Sequence, residues 1–303
     1  MPYPQLDRSR LQFKPLEERQ SKTALEAIAA DPGAPAPPLR HGGEWIEPLV
    51  RRILGARAEG RTVALAYGAH LLKNGMAPVL IRMMEMGFVT HLATNGAGVI
   101  HDWEFAYHGR SEEDVRRYAA EGQFGLWRET GFYLNAAILA GAVAGMGLGE
   151  AVGAAIERGS IALPGRAELR RRLAAISSGG EADSSAPAAA EALLAIDAGE
   201  APEGPIAVEH PHKRHSVVAA AWRLGLPLTS HPGIGYDIIH AHPLARGAAL
   251  GLAAMRDFLS LAHSISRLSG GAFLSVGSAI MAPMTFEKSL SMARNLARQE
   301  GRR

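Results

Sequence analysis

The apolar positions of this chain switch repeatedly between two periods. Leu16 to Ala30 is spaced as a helix, and Asp31 to Pro38 (DPGAPAPP) breaks it with a semi-rigid connector. Residues 1–40 are thus expected to form an N-terminal arm and Pro-rich linker. Glu44 to Ala58 is an amphipathic helix with Trp45, Pro48, Leu49 and Ile53 near one side. From Thr62 an α/β rhythm sets in. Thr62 to Tyr67 (TVALAY) has the continuous apolar character of a buried strand. Gly68 to Gly75 is expected as a loop, and Met76 to Met86 as a helix capped by Gly87. Phe88 to Ala93 is the next strand, Thr94 to Gly98 (TNGAG) its turn, and Val99 to Ala106 a helix. Strand, loop and helix in this order predict parallel βαβ units. The expected fold is α/β, a Rossmann-like parallel sheet with helices on both faces.

The rhythm continues. Ser111 to Ala120 reads as a helix capped by Ser111, with Asp114 three residues on. Arg128 to Ala144, Glu150 to Arg158 and Ala188 to Ala198 are Ala-rich helices, and AGAVAGMGLG (140–149) predicts close helix packing. Ser177 to Ala190 is low in complexity and predicts a mobile insertion. Strands are expected at Pro205 to Val208, Leu226 to Thr229 and Ala272 to Val276. Helices are expected at His215 to Leu224, Leu250 to Leu268 and Thr285 to Gln299. No repeat of fixed period appears. Residues 41–303 therefore read as one nucleotide-binding α/β domain.

Composition narrows the classes. No cysteine is present, which removes disulfides, thiolate metal sites and a cysteine nucleophile. No apolar run approaches a membrane span and the start does not read as a signal peptide, so a cytoplasmic protein is expected. The net charge is +2, with 27 Arg and 5 Lys spread along the chain. Nucleic-acid binding needs a coherent basic face with aromatic platforms, and none is visible.

Candidate chemistry gathers in SHPGIGYDIIHAHP (230–243), directly after a predicted strand. The carboxyl ends of strands are where ligands bind in such sheets. Asp237, between Gly235 and Ile238-Ile239, is the carboxylate most suited to hold a cation, because a buried carboxylate needs a partner. Its alternative role is a helix cap. His231, His240 and His242 are candidates for proton transfer near neutral pH. Gly68–Gly75, Thr94–Asp102 and Gly277-Ser278 each put small residues where a helix begins, an arrangement that attracts phosphate. Asp102 is a candidate helix cap or ribose ligand. His210, His212, His215, His231, His240 and His242, with Glu209 and Asp237, leave a metal-dependent hydrolase open, although no standard metal spacing is matched.

Three blocks resemble the deoxyhypusine synthases, in that family's order. They are YGAHLLKNGM (67–76), THLATNGAGVIHD (90–102) and GIGYDIIHAH (233–242). The resemblance implies a Rossmann-like fold, NAD at the strand ends, a polyamine-like small-molecule substrate and a homotetramer with sites at dimer interfaces. On it, His70 and Asn74 meet the cofactor in the first loop. Asn95, Gly96, Ala97 and Gly98 form the second cofactor loop, and Asp102 keeps an acidic position beside them. His101 stands where the family has a further acid. Asp237 takes the aspartate that binds the substrate amine, and His242 the histidine of that block. Gly277 and Ser278 begin the family's glycine turn. The family's imine-forming lysine has no counterpart here, where Lys288 is the only lysine after Lys213. Transfer through an imine is therefore not expected. A non-catalytic relative of the family is a third reading.

Overall fold

The computed structural model describes residues 3–38, 41–177 and 184–301. Two 3-10 turns, Arg8–Arg10 and Leu16–Glu18, come first, then β1 (Thr23–Ala24), α1 (Leu25–Ile28) and α2 (Gly43–Ala58). β2 (Val63–Tyr67) leads through α3 (Ala69–Lys73) and α4 (Ala77–Glu85) to β3 (His91–Asn95). α5 (Gly96–His108) starts at the very end of β3. β4 (Arg110–Ser111), α6 (Val115–Ala120), α7 (Arg128–Val143), α8 (Leu148–Arg158), β5 (Ser160–Ile161) and α9 (Arg166–Ser177) follow. Then come α10 (Ala186–Asp197), β6 (Ile206–Ala207), α11 (Val217–Arg223), β7 (Leu228–His231), α12 (Gly247–Ser266), β8 (Ala272–Val276) and α13 (Met281–Gln299).

β7, β3, β2 and β8 form one parallel sheet in that order. β3 and β7 extend it to one side of β2, and β8 is added on the other side. The order therefore reverses between β2 and β8, and a crevice is expected outside the carboxyl ends there. β2 is buried at every position, which explains its unbroken apolar run. Leu65, Tyr67 and Leu92 join a large core with α4, α5, α7, α8 and α11. Ala64, Ala66 and Ala93 face the other way, against Leu261 and Ile265 of α12 and Ala282 of α13. Helices thus cover both faces, and the fold is the expected α/β class.

Several local expectations are corrected. The N-terminal segment is no free arm: Leu16 and Leu25 are buried, and β1 pairs antiparallel with β4. Its apolar residues are spent on the domain core, so a continuous helix does not form. Gly68 to Gly75 is mostly helical, as α3. Ser111 does not cap α6. Asp114 does, accepting from Arg117 N, while Ser111 is fully buried. β6 pairs with β5 outside the main sheet. The expected mobile insertion falls in part on residues 178–183, which lie outside the described residues, and from Ala186 the chain is helical. Among the described residues no single helix is long and apolar enough to cross a membrane. α7 and α8 together pass on length and composition, but both supply buried core residues.

Candidate functional site

At the reversal point the loops after β2 and β8 touch. A methyl group on Gly68 would lie 2.0 Å from the Gly277 carbonyl oxygen, and Gly277 has φ 64°. Only glycine suits either position. The turn after β3 is equally tight. The Asn95 side chain accepts from Gly98 N at 2.9 Å, capping α5. A methyl on Gly98 would meet Thr94 Oγ1 at 2.0 Å, and one on Gly96 would meet Asp237 Oδ2 at 2.2 Å. The Asp237 carboxylate therefore rests on the first turn of α5.

From there a cavity of about 210 Å³ opens over α5. Ala97, Ile100, His101 and Glu104 of α5 line it, with Tyr236, Asp237 and Ile238, Lys73 of α3, Arg19, and the turn residues Glu112 and Glu113. Val115, Phe124 and Tyr236, all exposed, give it an apolar rim. Four carboxylates thus face two cations.

Glu104 is saturated. It takes both arms of Arg19, Thr130 Oγ1 at 2.9 Å and Ser111 Oγ at 2.5 Å. Glu112 accepts from Thr23 Oγ1 at 2.9 Å and from Lys73 Nζ at 3.3 Å. It is the one non-glycine with positive φ (69°) among the described residues, a strained backbone at the cavity wall. Glu113 accepts from Trp127 Nε1 at 2.8 Å and Gly125 N at 3.2 Å, and burial raises its pKa. Asp237 accepts from Gly233 N at 2.8 Å, and burial raises its pKa too. It starts the 3-10 turn Ile238–Ala241 without a side-chain cap bond, so the capping alternative does not describe it. Neither of these last two carboxyls forms a salt bridge among the described residues, although the Arg19 charge acts on Glu113.

Of the residues expected from sequence, Ala97 and Asp237 line the cavity, and Gly96 backs Asp237. The others are elsewhere. Asp102 is buried, and its oxygens take Val217 N at 2.7 Å and the Ser216 hydroxyl, holding the start of α11. Burial pushes its pKa up to about 6. It lies within α5, which Asn95 caps, and instead braces Ser216 and Val217 at the start of α11. His242 packs against Phe13 and Phe132, and its Nδ1 accepts from Leu244 N at 3.1 Å. His231 joins a buried chain with Thr229 Oγ1 (3.2 Å), His91 (3.1 Å from Thr229) and Ser264 (2.8 Å from His91). Burial takes His231 and His242 to about 4, so both are neutral. His240 lies three residues after Asp237, with both ring nitrogens buried and without a hydrogen-bond partner among the described residues. Arg8 straps this turn, donating to the carbonyls of His240 (2.8 Å), His242 (3.1 Å) and Ala245 (3.2 Å). His70 and Asn74 are exposed on and just after α3, and Ser278 Oγ accepts from Ala282 N at 3.1 Å. His210 sits edge-on to Trp103. Among the described residues no group of three or more His, Asp or Glu is placed to hold a metal.

Arg19, Lys73, Glu104, Glu112 and Glu113 are not expected from the sequence as site residues, and His101 is marked there only by the resemblance. His101 and Glu104 are three apart on a helix, a spacing that puts both on one face. The adjacent acids Glu112-Glu113 before α6 were the other available signal.

No family model matches the sequence, and no curated protein matches it. Among solved structures the chain is similar to apo ArgZ, an arginine dihydrolase from the ornithine-ammonia cycle in cyanobacteria. The TM-score is 0.39 at 14% identity, over 81% of this chain and 25% of that one. It is similar to a variant of AgrE in binary complex with L-arginine, with TM-score 0.37 and 14% identity over 83% of this chain and 27% of that one. A conserved putative LOR/SDH protein from Methanococcus maripaludis S2 gives TM-score 0.33 and 12% identity over 86% and 74%. The chain spans about a quarter of the length of the first two. None of these comparisons names a deoxyhypusine synthase.

Proposed function

We propose that this chain is a deoxyhypusine synthase-like enzyme acting on a small amine-bearing metabolite of polyamine type. Asp237 holds the ammonium group in the cavity over α5. The observation that carries this reading is the state of Asp237. It is buried, accepts from the Gly233 amide, and pairs with no Arg or Lys among the described residues. Burial alone disfavours its charge, and a bound ammonium would restore it. The pKa of Glu113 across the cavity is also raised by burial, though the Arg19 charge partly offsets this, and the rim of Tyr236, Phe124 and Val115 suits an aliphatic chain between amines.

A nicotinamide dinucleotide fits only part of the expected loops. The N-terminus of α5 does not suit a pyrophosphate, because the Asp237 carboxylate already rests there and Asn95 already caps it. The reversal point suits it better. His70 and Asn74 are exposed there, and Gly68, Gly277 and Ser278 would hold the dinucleotide. Bound there, it would supply a hydride acceptor. The chain's own residues bind the amine, exclude water from the buried carboxylates and orient the ammonium at Asp237.

This reading also carries a cytoplasmic homo-oligomer, a dimer or tetramer. The outer edge of β8 has no strand partner among the described residues, and α2 exposes Trp45, Ile46, Leu49, Val50 and Leu54. A metal-dependent hydrolase finds less support, since the histidines of 210–242 are dispersed through packed elements.

The test is calorimetric titration of the full chain with 1,4-diaminobutane near neutral pH. Saturable binding is expected, weakened at least about tenfold in Asp237→Asn, equivalent to ~1.4 kcal/mol. Equal affinity in both proteins, or binding to neither, refutes the reading and favours a relative without this activity.

A further inference from the structure

α5 presents His101 and Glu104 one turn apart, both lining the cavity. Ser111, fully shut off from solvent on β4, stands between them. Its Oγ lies 2.6 Å from His101 Nδ1 and 2.5 Å from Glu104 Oε2. A hydroxyl has one proton to give. Burial works to raise the Glu104 pKa, but the Arg19 guanidinium outweighs it and holds the group below its ordinary value. Glu104 is therefore ionised and can only accept. Ser111 donates to Glu104, and so must accept from His101.

The tautomer follows. Nδ1 carries the ring proton, and the lone pair of neutral His101 is on Nε2. Nε2 has no hydrogen-bond partner among the described residues. Burial, first, lowers the His101 pKa. Glu104 and Glu112 raise it, Lys73 and Arg19 lower it, and the net direction is down. Asp237 and Glu113 share the cavity with it. The ring is thus neutral near neutral pH.

We infer that His101 is the base of this cavity: its Nε2 accepts an N–H hydrogen bond from the bound ammonium and takes that proton as the amine reacts. Ser111 and Glu104 are the positioning residues that fix its tautomer. This inference rests on the amine reading given above. In the step, an N–H bond of the ammonium breaks and its electron pair stays on nitrogen. A new N–H bond forms at Nε2. The resulting imidazolium is stabilised by the Glu104 charge through Ser111. An ammonium is a weaker acid than imidazolium, so the transfer is completed only as the neutral amine is consumed. The arrangement also gives the buried Arg19–Glu104 pair a purpose. It keeps an ionised acceptor behind Ser111, without which the hydroxyl could turn and reverse the tautomer.

The test is long-range ¹H–¹⁵N NMR on the full chain labelled with ¹⁵N-histidine, with His101→Gln identifying the resonances. His101 is expected as the Nδ1–H tautomer in the wild type and in Ser111→Thr, which keeps the hydroxyl. Ser111→Ala is expected to shift it to Nε2–H. Saturating 1,4-diaminobutane should move the Nε2 resonance upfield in the first two proteins and leave it unmoved in Ser111→Ala. An Nε2–H tautomer in the wild type overturns the inference. So does an unmoved Nε2 resonance in wild type saturated with the probe, and that result leaves the amine reading intact. Failure of the wild type to bind the probe overturns both. If Ser111→Ala does not fold, the wild type and Ser111→Thr still decide the tautomer.

Discussion

Arg19 and Glu104 meet end to end, Nη1 on Oε1 and Nη2 on Oε2, each at 2.7 Å, with both side chains sealed from solvent. The two charges neutralise one another under the cavity. Removing one partner leaves the other buried without compensation. Arg19→Met is expected to lower the unfolding free energy by about 3–5 kcal/mol in urea melts. Arg19→Lys should recover only part of this, because an ammonium cannot engage both oxygens as a guanidinium does. Unchanged midpoints in Arg19→Met would show the pair to be dispensable for folding.

Asp257 of α12 gives the chain a stability term that falls with pH. Its Oδ2 accepts from Gly149 N at 3.0 Å and Ser230 N at 2.7 Å, tying the start of α8 to β7. Burial raises its pKa from 3.8 to about 7 despite these bonds. The folded state then keeps a proton that the unfolded state has released, so stability declines as pH rises from the ordinary carboxyl range to about 7 and levels off above. Between about pH 5 and about pH 8 the wild type should lose on the order of 3 kcal/mol more than Asp257→Asn. Parallel pH profiles for the two proteins would contradict this.

Gly75 and Gly122 separate two costs of a side chain at positive φ. At Gly75 (φ +78) a methyl would sit 1.8 Å from the Ile28 carbonyl oxygen, whereas at Gly122 (φ +66) it meets open space. Gly122→Ala should cost about 1–2 kcal/mol from the backbone alone. Gly75→Ala should cost at least ~2 kcal/mol more, because Ile28 must move. Equal thermal midpoints for the two variants would remove the steric part of this account.

The exposed side of α2 predicts association. Trp45 is 71% exposed, and the open β8 edge lies nearby, where Arg52 of α2 reaches the Gly271 carbonyl oxygen at 3.2 Å. Long unpaired apolar edges are normally covered. Native mass spectrometry of the wild type should show more than one chain per particle, and Trp45→Glu should shift it toward the monomer. A monomeric wild type at tens of micromolar would show that this face stays open.

β2 was legible because a parallel strand covered on both faces reads as an apolar run, as in Val63–Tyr67, and the edge strand Ala272–Val276 because its first three residues are apolar and half-buried. Asp237 was legible for a related reason: a charge among apolar neighbours after a strand has few places to go. Most of the cavity was not legible. Glu104 and His101 sit in a helix whose pattern reads as core, and Arg19 in a segment whose prolines and charges read as a tether. Periodicity reports which face is covered, not which charge is covered with it. The histidines misled for the opposite reason. Closeness in sequence brought His210, His231 and His242 into three different packing environments, because a helix and a strand separate them.

The cavity over α5 draws its floor from Arg19 and its far side from Tyr236 and Asp237, so its walls are gathered from segments more than two hundred residues apart. A chain emerging during synthesis carries the buried Glu104 long before Asp237 exists to stand over it. Closure of the pocket consequently requires the slow joining of distant segments. Occupancy by a small amine would then favour the folded chain over the unfolded one. A ligand of this site would double as a signal that its distant walls have met.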